Sequence, residues 1–294
     1  MPPEVTLLRE IAPSARVAPT ARIGPYCVVG PHVTIGPNTC LVRRVSVTGN
    51  VTIGSGNVFD EGCVIGADPQ DLKYSGGPTR VLIGHRNRFG PRATVHPGTE
   101  VGGFLTSIGN DNVLKDGAHV AHDCYVDDRA TLGRGVLLAG HIRIHTGAVV
   151  EDMAGIHHFV TVGRYARIGS RTPVRRDVPP YTNFFSLDYE KTPPAVRGIH
   201  EAGIRAAGLS SDEQRELRRA LAELFDDESA LQTKIEQLEN LGVEGEAAYL
   251  CQFVQQSLRG VYGRSRELFR GKAPPEAEKL LPPELQAEIR RTMP

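Results

Sequence analysis

The sequence predicts a β-solenoid joined to a C-terminal α-helical domain. Three observations predict it. An apolar residue recurs at every sixth position, glycine often follows it, and helical spacing takes over only after that repeat has ended.

The first block of the repeat runs Ile11, Val17, Ile23, Val29, Ile35, Leu41, Val47, Ile53, Phe59 and Ile65. It returns at Ile83, Phe89 and Val95. The longest run is Ile108, Leu114, Val120, Val126, Leu132, Leu138, Ile144, Val150, Ile156, Val162, Ile168 and Val174, all apolar. With such residues at about a quarter of positions, a run of that length has a chance probability on the order of 10⁻⁷. A six-residue period matches neither an amphipathic helix nor an open alternating strand. It suits short strands joined by tight turns, with each apolar residue pointing to a common axis. Three hexads close a triangular coil of roughly 18 residues, and coils stack at about 4.8 Å, the spacing of paired strands. A β-sandwich with regular turns is the plainer alternative.

Two segments interrupt the frame. "GADPQDLKYSGGPTRVL" fills the region near 67–82, and "HPGTEVGGFLTS" fills 97–107 and leaves the frame one residue out of phase. Both are glycine-rich and polar, so both read as loops thrown out from the coils, where function commonly resides. "RRDVPPYTNFF" ends the repeat, since paired prolines block helix and ladder alike. The solenoid is therefore expected over 1–189 and a helical domain over 190–294. Ser210 and Glu213 form a capping box. Leu217, Leu221 and Leu224 mark one helix, Leu231, Ile235 and Leu238 a second, and Leu250, Val254, Leu258 and Val261 a third. "LPPELQAEIRR" begins a last short one. These helices are expected to cap an open coil end or to pack on a neighbour, because a bare coil exposes unpaired edges.

Composition removes several classes of function. Thirty-four basic and 34 acidic residues give no net charge, so no general attraction to nucleic acid or anionic membrane is expected. No 18-residue apolar run exists to span a membrane, and "MPPEVTLLRE" lacks the features of a signal peptide. Cys27, Cys40, Cys63, Cys124 and Cys251 are odd in number and widely spaced, which fits free thiols in the cytoplasm.

With the coil period in hand, residues 104, 122, 140 and 158 fall on one line along the prism. His122 is on it, His141 is one residue off, and His157 and His158 straddle it. His119 sits half a hexad from His122, and His96 opens the second loop. Two chemistries fit such a column. Three imidazoles can hold zinc with an open position for water. Alternatively, one imidazole is a general base, a carboxylate such as Asp123 fixes its tautomer, and the others bind substrate. Gly140 on the same line can offer its N–H to an oxyanion.

"AHVAHDC", "LAGHIRIHTGAVV", "GIHHFVTVG", "RRDVPPY" and "PQDLKYSGGPTRVLIGHRNRF" together resemble the UDP-N-acetylglucosamine O-acyltransferases of lipid A biosynthesis. The resemblance covers nearly the whole chain and implies a left-handed parallel β-helix, a cytoplasmic homotrimer, and clefts between adjacent coils. It implies transfer of a 3-hydroxyacyl chain from acyl carrier protein to the 3-position of a sugar nucleotide, with no cofactor and no metal. It matches His122 to the base, Asp123 to the residue orienting it and Gly140 to the oxyanion donor. His96, His119, His141 and His157 fall at substrate-side positions, with Asp71 and Lys73 reaching in from the first loop.

Several positions depart from that family pattern. His158 replaces a glutamine beside the sugar, and His200 an asparagine near the nucleotide. Ala206 and Ala207 replace two basic residues, which leaves Arg205 as the compensating cation. These changes bear on the nucleotide contacts, so an amino sugar acylated on nitrogen is an alternative acceptor. Ser170 is expected at the end of the acyl groove. Arg164, Arg167 and Arg171, in an arginine-rich stretch without acids, are expected to dock the acidic carrier protein. A zinc hydratase of the γ-carbonic-anhydrase type and a non-catalytic solenoid are the competing readings.

Overall fold

The computed structural model describes residues 8–188, 192–225 and 230–261. Strands mostly two residues long stack into three parallel walls. Wall A runs from Glu10–Ile11 to Pro173–Val174, wall B from Arg16–Val17 to Thr161–Val162, and wall C begins at Arg22–Ile23. Along wall C, Val113 faces Thr131, which faces Val149. The corner contact of Asn110 with Asp128 likewise joins residues 18 apart. The repeat positions from Val29 to Val174 are at most 3% exposed and form one continuous core. Inside it, Phe59 and Phe89 stack with centroids 4.4 Å apart. The first coil is the exception: Ile11 is 37% exposed at the open end.

Two interruptions leave the coil, and each ends earlier than the spacing predicts, since Arg80–Ile83 and Leu105–Ile108 are paired strands of wall B. Ile53 pairs with Ile83 and Ile65 with Val95, so the first loop is spliced into one corner without disturbing either ladder. Val95 pairs with Val120 across the second loop, and Ile83 pairs with Ile108, so the second insertion also leaves the ladders in register. Burial pushes the Cys63 thiol up to about 12 and Cys251 up to about 11, so neither is a reactive thiolate.

Beyond the last coil, the strand Thr182–Phe185 continues wall C. The strand Ala195–Ile199 then turns back antiparallel to it. Only helix was expected from residue 190, so this strand is a correction. It pairs an edge that the parallel ladder would otherwise leave open. Four helices follow: α1 (Glu201–Ala206), α2 (Ser211–Phe225), α3 (Leu231–Asn240) and α4 (Gly245–Leu258). The glycine-containing α1 was not anticipated. The capping box forms at the start of α2, where Ser210 N–H donates to Glu213 at 2.8 Å and Glu213 N–H donates to Ser210 Oγ at 3.3 Å. Val261 lies beyond the end of α4, and the segment "LPPELQAEIRR" lies outside the described residues.

The helices share a second core of Leu217, Leu221, Leu224, Ile235, Leu250 and Val254, which also takes in Tyr165 and Tyr181 of the solenoid. They pack on the flank of the C-terminal coils. Arg164 meets Glu246 at 2.8 Å and lies 4.0 Å over the Tyr249 ring, while Tyr181 donates to the same carboxylate at 2.8 Å. Among the described residues, no helix is long and apolar enough to cross a membrane.

One polar column runs inside the solenoid. Asn57, Asn87 and Asn112 are fully buried. Asn87 donates from Nδ2 to Asn57 Oδ1 at 2.9 Å, and Asn112 N–H donates to Asn87 Oδ1 at 2.9 Å. The next coil continues the column, with Ala130 N–H donating to Asn112 Oδ1 at 2.7 Å. Each amide thus holds the corner above it. Truncating the middle member strands a buried donor and a buried acceptor. Asn87→Ala is therefore expected to lower stability by about 3 kcal/mol in urea unfolding. A loss below about 0.5 kcal/mol would show that the column does not brace the coils.

Candidate active site

The corner that joins wall A to wall B carries the histidines. In three successive coils its second residue adopts a left-handed backbone conformation. Asp123, His141 and Phe159 do so without being glycine, with φ of 58°, 64° and 68°. Such a conformation costs an ordinary side chain about 1–2 kcal/mol, and corners away from the histidines bear the same cost, as at Arg86, Arg129 and Arg171. One-strand spacing then brings them together. His122 and His141 meet edge to face at 5.2 Å, and His141 stacks on Phe159 at 4.4 Å.

His122 Nδ1 lies 2.8 Å from Asp123 Oδ2. A carboxylate oxygen can only accept here, so Nδ1 carries the proton and the neutral ring keeps its lone pair on Nε2. That nitrogen faces a cleft of about 1060 Å³, where Asp71 Oδ2 lies 3.9 Å away. Asp123 itself is 1% exposed. Thr99 satisfies it from the second loop, through N–H at 2.8 Å and Oγ1 at 2.7 Å. The opposite side of the imidazole packs on Gly140. A Cβ there would fall 2.2 Å from His122 Cε1 and 2.6 Å from Nε2, so this position must be glycine. The N–H groups of Ala139 and His141 are engaged in the coil ladder, whereas the Gly140 N–H has no partner among the described residues.

The cleft brings together Asp71, Lys73, His119, His122, Gly140, His141, His157 and His158. His119 Nδ1 lies 2.7 Å from Thr94 Oγ1. Burial, with help from the neighbouring His96 and His122, holds its pKa below the ordinary histidine value, which keeps it neutral. The rings of His157 and His158 are 3.9 Å apart. Wall A turns Leu137, Gly155 and Pro173, paired in register on successive coils, outward along the cleft toward Arg175.

Other expected residues sit elsewhere. His96 does not line the cleft. Its Nδ1 contacts the carbonyls of Ala67 and Asp68 at 3.0 and 2.9 Å, so it anchors the first loop from beneath. Arg205 is exposed on α1, outside the cleft of its own chain. His200 is tied to the Tyr165 carbonyl at 2.7 Å. Ser170 lies at the corner joining wall C to wall A, where its Oγ meets Glu151 at 3.2 Å.

The three arginines expected to dock the carrier protein lie on different sides of the coil. One coil turns through three walls, and it carries them around the prism. Arg164 is committed to Glu246 and Tyr249, Arg167 pairs with Glu151 at 2.5 Å on wall C, and Arg171 occupies the following corner.

Sequence reasoning did not find Thr99, Phe159 or this outward face of wall A. It also passed over Glu100, whose Oε1 accepts from Ser75 N–H, Ser75 Oγ and Gly77 N–H at 3.2, 2.9 and 2.7 Å. Glu100 thereby ties the first loop to the second. The available signal was the glycine density around Thr99, which marks close backbone approach.

Comparison with known proteins identifies relatives of the chain. Residues 177–262 match the family model described as Udp N-acetylglucosamine O-acyltransferase; Domain 2. The acyl-[acyl-carrier-protein]–UDP-N-acetylglucosamine O-acyltransferase of Gloeothece citriformis is 36% identical over 213 residues, spanning 72% of this chain and 75% of that protein. The enzyme of the same name from Nautilia profundicola is 33% identical, spanning 71% and 79%. Among solved structures, LpxA from Acinetobacter baumannii superposes with a TM-score of 0.78 at 34% identity, covering 87% of this chain and 96% of that one. The UDP-N-acetylglucosamine acyltransferase of Francisella novicida gives 0.77 at 32%, covering 82% and 86%. The three-walled coil is the left-handed parallel β-helix of these structures. Sequence, coil and helical tail together show that the chain belongs to the UDP-N-acetylglucosamine O-acyltransferase family.

Proposed function

We propose that the cleft transfers a 3-hydroxyacyl chain from the thioester of acyl carrier protein to the 3-hydroxyl of UDP-N-acetylglucosamine, the first step of lipid A biosynthesis. The observation that carries this reading is the His122–Asp123 contact at 2.8 Å, with Nε2 turned into the cleft beside Gly140. Nε2 takes the hydroxyl proton as the sugar oxygen attacks the thioester carbonyl. The resulting oxyanion accepts from Gly140 N–H. Collapse of the tetrahedral intermediate breaks the carbon–sulfur bond, and the imidazolium returns the proton to the departing thiolate. Asp123 holds the ring and stabilises its charged form. A positioned base supplies roughly 10² to 10⁴ in rate, and an oxyanion donor a further 10² to 10³ or so.

The other cleft residues suit two dissimilar substrates. The outward face of wall A fits an acyl chain, and the imidazoles with Lys73 and Asp71 fit the hydroxyls and phosphates of a sugar nucleotide. Leu137, 56% exposed, leaves apolar surface in the cleft, which supports a homotrimer in which a neighbour closes that side. Arg205 and Ser170, which do not line their own chain's cleft, then have a neighbour's cleft to serve. Five free cysteines support a cytoplasmic setting.

The zinc hydratase reading asks for three imidazoles around one point. The tight group here is two imidazoles and a carboxylate, and both oxygens of that carboxylate already accept hydrogen bonds. Metal analysis of the purified protein is expected to find no stoichiometric zinc, whereas one zinc per chain lost together with activity on chelation would favour the hydratase. His122→Ala is expected to reduce acyl transfer from hydroxyacyl carrier proteins by at least about 10²-fold. Full activity in that variant would refute the assignment of the base.

A further inference from the structure

The second loop has no counterpart in a plain coil, and its geometry converges on one buried carboxylate. Gly102 N–H and Phe104 N–H both donate to the Thr99 carbonyl, at 3.1 and 2.9 Å, which closes the loop on that residue. A Cβ at Gly102 would lie 1.9 Å from Asp123 Cγ, and one at Gly98 would lie 2.8 Å from Asp123 Oδ1. The loop therefore lies flush against the carboxylate, and only glycine permits that approach. Thr99 is fully buried. Its N–H takes one carboxylate oxygen, and its hydroxyl takes the other. That second oxygen, Oδ2, also receives His122 Nδ1–H. A single hydroxyl thus shares the acceptor atom that fixes the ring.

We infer that Thr99 is a positioning residue for the base: its hydroxyl locks the Asp123 carboxylate rotation and so aims His122 Nε2 into the cleft. The inference rests on the acyl-transfer reading above. It does not make Thr99 a catalytic residue, since Thr99 is not among the residues lining the cleft. The out-of-phase loop acquires a purpose, which is to deliver two donors to an oxygen pair that no coil strand can reach. Without the hydroxyl, the carboxylate keeps one loop donor and can turn about its Cβ–Cγ bond. The imidazole then loses a fixed partner while every substrate contact remains.

The test is steady-state kinetics of the full-length protein with a hydroxyacyl carrier protein and UDP-N-acetylglucosamine. Thr99→Val removes the hydroxyl at nearly constant volume and keeps the N–H. It is expected to lower kcat by about 10- to 100-fold, the effect of a slight misplacement of a reacting group, with KM for both substrates within about 2-fold. Thr99→Ser is expected to restore kcat to within about 3-fold of the wild type. Gly102→Ala, which keeps Thr99 but pushes on the carboxylate, is expected to reproduce the kcat loss and provides the test should Thr99→Val not fold. Wild-type kcat in Thr99→Val, a change confined to KM, or a serine variant as impaired as the valine would overturn the inference while leaving the acyl-transfer reading in place. Absence of transfer by the wild type itself would overturn both.

Discussion

Everything in this protein depends on a parallel hydrogen-bond ladder that repeats at one coil. Two residues 18 apart in sequence become neighbours at the spacing of paired strands. The histidine corner of the cleft needs no long-range side-chain recognition, although the loop that adds Asp71 and Lys73 is held by His96 and Glu100. His122, Gly140 and His158 are brought to one corner by backbone pairing alone, and the buried apolar residue of each hexad keeps the register. The Asn57–Asn87–Asn112 column adds an internal brace at a different corner. A rigid backbone of this kind suits a reaction in which a base, an amide donor and two substrates must be held within a few tenths of an ångström.

The corner geometry makes the site selective about residue type. Most corners hold a left-handed residue, which is glycine at Gly117, Gly135 and Gly147 and a larger residue at Arg86, Arg129 and Arg171. On the cleft line the same position is Asp123, His141 and Phe159. Two of these side chains touch the base, and the third stacks on one of them. The reverse choice occurs one residue earlier at Gly140, where any side chain would displace the imidazole. Local strain and local absence of a side chain therefore serve the same imidazole from opposite directions.

Much of this was legible from residue spacing. The six-residue period gave the coil, and the coil gave the column of His122, His141, His157 and His158, all of which line one cleft. The capping box at Ser210 and the leucine spacing of α2 were equally plain. What the period could not convey lay in the insertions and around the prism. His96 read as a substrate-side imidazole, but its ring turns inward to hold the loop carbonyls of Ala67 and Asp68. Arg164, Arg167 and Arg171 are adjacent in sequence, yet the turn of one coil spreads them over different faces. The strand Ala195–Ile199 follows from the need to pair an edge, which its short, mixed sequence does not announce. Thr99 escaped because a threonine in a polar loop has no periodic partner, and its role is visible only when the loop is folded over Asp123.

General-base chemistry at this corner depends on where the proton of His122 resides. Selective ¹⁵N labelling of histidine, with the resonance assigned by its loss in His122→Gln, reads the tautomer of that ring in the resting protein. The expected result is a proton on Nδ1, facing Asp123, and a bare Nε2 facing the cleft. A neutral ring carrying its proton on Nε2 would leave no lone pair for the sugar hydroxyl and would contradict general-base catalysis by His122.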